Sequence, residues 1–371
     1  MKKILVILGT RPEAIKLAPV ILELKTVQDV EVVVCNTEQQ KELSNQTLSY
    51  FKIKADINID SMIPNQTLSA LQSRLISKLD EVFTNENFDA AIVQGDTMSV
   101  FCGALVAFYH KVPVFHVEAG LRSFNLFEPF PEEAIRQMVS KITSLHFCPT
   151  HRSKKYLMSE NIPEDSIIVT GNTVIDALKC LSEETLQVAE SALMKQNISF
   201  DKKIVLVTVH RRENHGERLE SIINGVLRLT KIYKDHQFVI PVHPNPQVKN
   251  RVVATFNNVP NVILTQPLDY PELVSLMRKS KLILTDSGGI QEEAPTFGIP
   301  ILVLRYKTER MEGVEAGCAK LIGADADKIV YSASRILNED FHSKTQVNVN
   351  PYGDGRSSER IVIAIKKFLS A

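Results

Sequence analysis

The chain has 371 residues, a length that suggests two domains, and 44% of it is hydrophobic, which excludes an intrinsically disordered protein. Lys plus Arg and Asp plus Glu both number 43, so no net charge draws the molecule to nucleic acid or to an anionic membrane. Any anion site must therefore be local. The five cysteines (Cys35, Cys102, Cys148, Cys180 and Cys318) are scattered and form no CxxC or Cys/His spacing. They read as free thiols of a reducing cytosol, with no metal site. No apolar run approaches the roughly 20 residues of a membrane-spanning helix, and no signal-peptide pattern precedes the first strand. A cytoplasmic protein is the expectation.

In chain order, "KILVIL", "VEVVVC", "DAAIVQ", "VPVFHV", "LHFCPT" and "SIIVTG" read as strands of the first half. "KIVLVTV", "FVIPVH", "NVILTQ", "KLILTD" and "PILVLR" read as strands of the second. They are apolar on both faces, as in a covered parallel sheet. Stretches of helical spacing, such as "EAIKLAPVILELK" and "LESIINGVLRLTKIY", alternate with them. The pattern predicts doubly wound α/β architecture with two parallel sheets. The polar helical stretch "LSEETLQVAESALMKQN" separates the two sets. The expected domains are residues 1–171 and 172–356, with a last helix at about 357–371 packing back on the first domain. Two such domains suggest a cleft, and ligands of open α/β sheets bind beyond the carboxyl ends of the strands.

Polar residues abound at those ends. In "GTRPEAIK" (9–16), Thr10 and Glu13 form a capping-box pattern, and Pro12 falls in the first turn. The free N–H groups and Arg11 and Lys16 would suit an anion, but GxGxxG and GK[ST] are absent, and a capped helix with solvated cations is the alternative. Asp96 follows "AAIVQG". In "HVEAGLRSFNLFEPFPEEAIRQ" (116–137), Glu118 ends a strand, and Glu132 and Glu133 open a helix. Converging acids suit general acid–base work. For Glu133 the simpler role is to offset a helix dipole. "VHRRENHGERLE" places His210 at a strand end before Arg211 and Arg212, where imidazole and guanidinium would stabilise a leaving group's charge. His243 ends "FVIPV", and Arg305 ends "PILVL". In "TDSGGIQEEAP", Asp286 ends a strand, and Ser287, Gly288 and Gly289 let a pyrophosphate approach the backbone, with Glu293 placed for ribose hydroxyls.

Together these stretches resemble the non-hydrolysing UDP-N-acetylglucosamine 2-epimerases. The matching segments are "GTRPEAIK", "GDT", "HVEAGLR", "PEEAIRQ", "HFCPT", "VTGNTVIDAL", "HRREN", "PVHPNP", "DSGGIQEEAP", "TERMEGVEAG" and "NPYGDG", in order along nearly the whole chain. The resemblance implies a GT-B-like fold with a UDP-sugar in the cleft, a homodimer, and no cofactor. It implies inversion at C2 of the sugar to give UDP-N-acetylmannosamine, through elimination of UDP to 2-acetamidoglucal and re-addition. Carried over by motif, Asp96, Glu118 and Glu132 handle protons, and His210 assists departure of UDP. Arg11, Lys16, Arg136, His243, Ser287, Gly288, Gly289, Glu293 and Arg310 bind substrate, with Arg11 and Lys16 as half of a diphosphate clamp. Gln39, Gln40, Gln66 and Arg211 are candidates for a second, allosteric UDP-sugar site. The chain departs from the family pattern at "TEQQKEL" (37–43), where relatives have "TGQHREM" and Gln40 replaces a histidine. It departs again at "EPFPEE" for "SPWPEE", with Glu128 and Phe130, and at "RYKTERM" for "RDTTERP". These changes admit another UDP-HexNAc, such as a diacetamido-uronic acid derivative, as substrate. A GT-B glycosyltransferase is the competing class, since fold does not determine function.

Overall fold

The computed structural model describes residues 1–338 and 350–370. It divides into two compact units, Met1–Cys180 with the segment from Tyr352 onward, and Leu181–Pro351. Among the described residues the first unit carries the strands β1 (Lys2–Leu8), β2 (Val30–Asn36), β3 (Ile57–Asn58), β4 (Ala90–Gln94), β5 (Val114–Val117), β6 (Leu145–Cys148) and β7 (Ile167–Val169). The second carries β8 (Lys203–Thr208), β9 (His236–Pro241), β10 (Val262–Thr265), β11 (Ser280–Thr285), β12 (Ile301–Val303) and β13 (Ala319–Leu321).

All strand pairs are parallel, as their doubly apolar runs require. The spatial orders are β3-β2-β1-β4-β5-β6-β7 and β10-β9-β8-β11-β12-β13. Both begin outward from a central strand, return to the centre and proceed the other way. The order therefore reverses between β1 and β4 in the first unit and between β8 and β11 in the second. At such a switch point the two connecting helices leave on opposite faces, and a crevice opens at the carboxyl ends of the strands.

The first unit extends one helix beyond the boundary expected at residues 171/172. Helix Thr173–Cys180 packs on helix Arg11–Lys25 and belongs with it. Helix Ser357–Ser370 lies against both. It is fastened by Ser358, whose N and Oγ donate to Asp176 Oδ1 at 2.8 and 2.6 Å, and by Arg360 Nη1 to the Thr170 carbonyl at 3.0 Å. Phe368 meets Phe115 edge-on at 5.2 Å. The polar helix expected after the first unit is Glu183–Lys195. It buries Leu186, Ala189 and Leu193, and packs on helix Tyr270–Lys279. Strands β3 and β13 have no counterpart in the sequence reading. Both are short edge strands, with too few residues to show a pattern. Among the described residues no helix is long and apolar enough to cross a membrane.

Candidate active site

At the first switch point, β1 runs into Gly9. A Cβ there would lie 1.9 Å from Thr37 Oγ1, so only glycine fits. Helix Arg11–Lys25 starts next, with its Glu13 carboxylate turned back on its own N-terminus. Glu13 Oε2 accepts from the N–H groups of Gly9 (2.6 Å) and Thr10 (2.9 Å), and Oε1 accepts from the Thr97 hydroxyl. Burial pushes Glu13 up to about 7, against the pull of the Thr97 hydroxyl and the two amides.

One turn on, Lys16 is buried and reaches Glu118, its Nζ 2.6 and 2.7 Å from the two carboxylate oxygens. Gln94 Nε2 also donates to Glu118 Oε2. Glu118 has φ 63°, the left-handed region, which costs a residue with a side chain on the order of 1–3 kcal/mol. The conformation turns the chain sharply off β5 while the side chain stays buried, 5% exposed. Gln94 pairs with Val117 in the β4–β5 register, so Asp96 and Glu118 follow neighbouring strand ends. Asp96 Oδ2 accepts from Arg136 Nε at 2.8 Å and lies 2.7 Å from its Nη2. Arg136 sits on helix Glu132–Ile142, one turn after Glu132, whose Oε2 is buried with no hydrogen-bond partner among the described residues.

Several residues differ from their sequence reading. Lys16, expected to clamp the diphosphate, has Glu118 as its neighbour. Glu133 does more than offset a dipole. It is fully buried and accepts from Ser123 N at 2.9 Å, from Gln137 Nε2 at 2.9 Å and from Arg136 Nη1 at 3.3 Å. His116, two residues before Glu118 and inside β5, is 1% exposed, with Nε2 2.8 Å from the Gly95 carbonyl. Burial pushes it down to about 4, against that hydrogen bond, so it is a neutral donor at neutral pH. The candidate allosteric glutamines are engaged within the first unit. Gln39 Oε1 accepts from Ser99 Oγ at 2.8 Å, Gln40 Oε1 from Arg11 N at 3.1 Å, and Gln66 Oε1 from Arg74 Nη1 at 2.5 Å.

At the second switch point, β8 ends in Thr208 and β11 in Thr285, whose hydroxyls meet at 2.6 Å. Asp286 is fully buried. It accepts from the N–H groups of His210 (3.1 Å) and Arg211 (3.0 Å) and from Asn214 Nδ2 (3.0 Å). Its Oδ1 lies 3.1 Å from His210 Nδ1, and the His210 ring stacks on His243 at 5.7 Å. Burial lowers the His210 pKa, and Asp286 opposes that shift. This pairing fixes the imidazole's orientation and leaves Nε2 for a ligand.

Ser287 N donates to Thr285 Oγ1 at 2.9 Å, and helix Gly288–Glu293 follows, ending in the buried Glu293. A Cβ on Gly288 would stand 2.9 Å from Arg310 Cζ, and one on Gly289 would lie 3.4 Å from Glu293 Oε1. Arg310 is held by Glu292 (Nε to Oε1, 2.9 Å) and by Glu309. Glu309 also takes Arg305 Nη1 at 3.1 Å, and Arg305 binds Glu213. Burial alone would raise Glu309, but Arg310, Arg305 and Arg211 hold it far below the usual carboxylate range. The sequence reading missed Glu213, Glu292 and Glu309, whose partners are distant in the chain or hidden in a loop. Among the described residues no group of three His, Cys, Asp or Glu side chains is placed to hold a metal ion.

The sequence model of the UDP-N-acetylglucosamine 2-epimerase family matches residues 22–366. A UDP-N-acetylglucosamine 2-epimerase of Neisseria meningitidis is 46% identical over 369 residues, covering 98% of this chain and 99% of its own. The crystal structure of N. meningitidis UDP-GlcNAc 2-epimerase bound to UDP-GlcNAc gives a TM-score of 0.90 at 45% identity, over 99% of this chain and 100% of that one. An S. aureus protein solved with UDP gives 0.91 at 43% identity, over 100% and 97%. The chain belongs to the UDP-N-acetylglucosamine 2-epimerase family.

Proposed function

We propose that the protein is an isomerase that inverts C2 of UDP-N-acetylglucosamine to give UDP-N-acetylmannosamine, reversibly, by elimination and re-addition of UDP. A base takes the C2 proton, the C1–O bond breaks, and UDP leaves with the bonding pair, so that 2-acetamidoglucal remains with a C1–C2 double bond. UDP then adds back at C1 while a proton is delivered to C2 from the other face. Atoms and charge balance with no outside reactant.

The observation that carries this reading is Glu118. It is a buried carboxylate at a strand end, in a left-handed backbone, aimed by Lys16 and Gln94. Such constrained geometry is typical of a group that must meet one substrate atom. Asp96, oriented by Arg136, and Glu132 supply the further carboxyl groups that two-faced proton transfer requires. His210, oriented through Nδ1 by Asp286, assists departure of the diphosphate by presenting an Nε2–H that donates to the leaving oxygen. Ser287, Gly288, Gly289 and Arg310 hold the diphosphate, Glu293 the ribose, and Arg11 and His243 complete the binding set. A homodimer in the cytoplasm, supplying envelope or capsule polysaccharide synthesis, is part of the same reading and comes from the resemblance.

The test is incubation with UDP-N-acetylglucosamine in deuterated water, followed by NMR, with no added metal or cofactor. The expected result is UDP-N-acetylmannosamine carrying deuterium at C2. Unexchanged substrate would overturn the assignment.

A further inference from the structure

Among the buried titratable groups, Glu13 has no part in the reaction just described, yet it touches two of the loops that do. A capping carboxylate needs only the amides of its own helix start. Glu13 accepts those, from Gly9 at 2.6 Å and Thr10 at 2.9 Å, through one oxygen. Its other oxygen crosses to a different strand and binds the Thr97 hydroxyl. Thr97 directly follows Asp96 and is the N-cap of helix Met98–Tyr109, accepting from Val100 N at 3.4 Å. On the other side of Asp96, Gly95 (φ 83°) gives its carbonyl to His116 at 2.8 Å and its N–H to the Val117 carbonyl at 3.1 Å. Asp96 is thus the middle residue of a turn fastened at both flanks, and Glu13 joins one flank to the Gly9–Thr10 loop that leads into Arg11. Glu13 is 1% exposed, and the loop it fastens has no slack, since Gly9 is pressed against Thr37 and Ser99.

We propose that Glu13 is a positioning residue for Asp96: by holding the Gly9 and Thr10 amides and the Thr97 hydroxyl on one side chain, it locks the β1 loop and the Asp96 turn into a single geometry. The inference rests on the reading of Asp96 as a proton-handling group. Glu13 itself touches no substrate. Misplacing a reacting group by about 1 Å costs about 100-fold in rate.

The test is steady-state kinetics of C2 exchange and epimerisation in the full chain. Glu13→Ala should lower kcat about 100-fold while KM and the UDP-induced thermal shift stay within about threefold. Glu13→Gln keeps an oxygen for the two amides and an NH2 for Thr97 Oγ, and should stay within about threefold of wild type in kcat. On an Asp96→Asn background, Glu13→Ala should cost less than about threefold more, because both changes act on one group. Full multiplication of the two losses would overturn the inference alone. Wild-type turnover by Asp96→Asn would remove the reading beneath it. Glu13→Gln as slow as Glu13→Ala would overturn it in favour of a role for the charge itself. Should Glu13→Ala fail to fold, Thr97→Val deletes the same arm from the other side and Thr97→Ser restores it. Equal kcat for these two would likewise overturn the inference.

Discussion

The two switch points hold similar residues in different states of saturation. In the second unit Asp286 is fully buried and takes two backbone amides, Asn214 and the His210 ring. The chain Glu213–Arg305–Glu309–Arg310–Glu292 alternates charge, each arginine held between two acids. In the first unit Asp96 keeps 26% of its side chain exposed, Glu132 has a buried oxygen with no hydrogen-bond partner among the described residues, and Glu118 sits in a strained backbone. Asp286 acts as a frame, because both its oxygens take several donors and moving a proton would break several bonds. Asp96 and Glu132 keep capacity to exchange protons, while Glu118 is held by Lys16 and Gln94 in a strained backbone. On the proposed reading the first unit holds the proton-handling acids, and the second holds the diphosphate turn and the His210 that its frame orients.

The largest expected effect breaks that comparison at its chemical end. Glu118→Gln keeps shape and removes the base. Turnover should fall about 10³-fold or more, since a positioned base contributes 10²–10⁴. UDP affinity, measured by calorimetry, should stay within about threefold. Retained turnover would take Glu118 out of the mechanism and erase the distinction between the two regions.

Asp286→Asn attacks the frame. It turns an amide donor toward the donors of His210, Arg211 and Asn214, at a fully buried position. Removing one partner of a buried charged cluster costs roughly 3–5 kcal/mol, so the urea midpoint of the second unit should drop sharply, and UDP binding with it. An unchanged urea midpoint would show that Asp286 is not part of the frame.

Much of the architecture was legible because parallel strands are apolar on both faces. The runs "KILVIL" and "KLILTD" could hardly be anything else. What sequence could not show is which strands are neighbours. The reversal between β1 and β4 brings Arg11 and Asp96 to one crevice, and that order depends on packing. Lys16 and Glu118 are 102 positions apart, and Glu213 and Arg305 are 92 apart. No local pattern marks such pairs. Glu133 was misread for the opposite reason: its position in a first helical turn offered a sufficient local role, and only its complete burial shows the contacts with Ser123, Arg136 and Gln137. Sequence reasoning could reach residues at strand ends, where a polar residue directly follows an apolar run.

The smallest effect sharpens the comparison through pH, because the first unit buries two groups whose shifts oppose each other. Glu13 is raised from 4.5 to about 7, so the folded state binds more protons than the unfolded state between those values. Its stabilisation is fully present below about pH 4.5 and is lost as pH rises through about 7. His116 is lowered from 6.5 to about 4, so its contribution is present above about 6.5 and lost as pH falls toward 4. Where the windows overlap these two contributions have opposite slopes. Glu13→Gln removes one of them. Relative to wild type, the variant should gain up to about 3 kcal/mol between pH 4.5 and 7.5, at 1.36 kcal/mol per pKa unit, on top of any constant offset. Urea midpoints of the two proteins at several pH values give the difference directly. A pH-independent difference would mean that Glu13 ionises as an ordinary carboxylate. The first unit's loops would then be held by a charge, as the second unit's are.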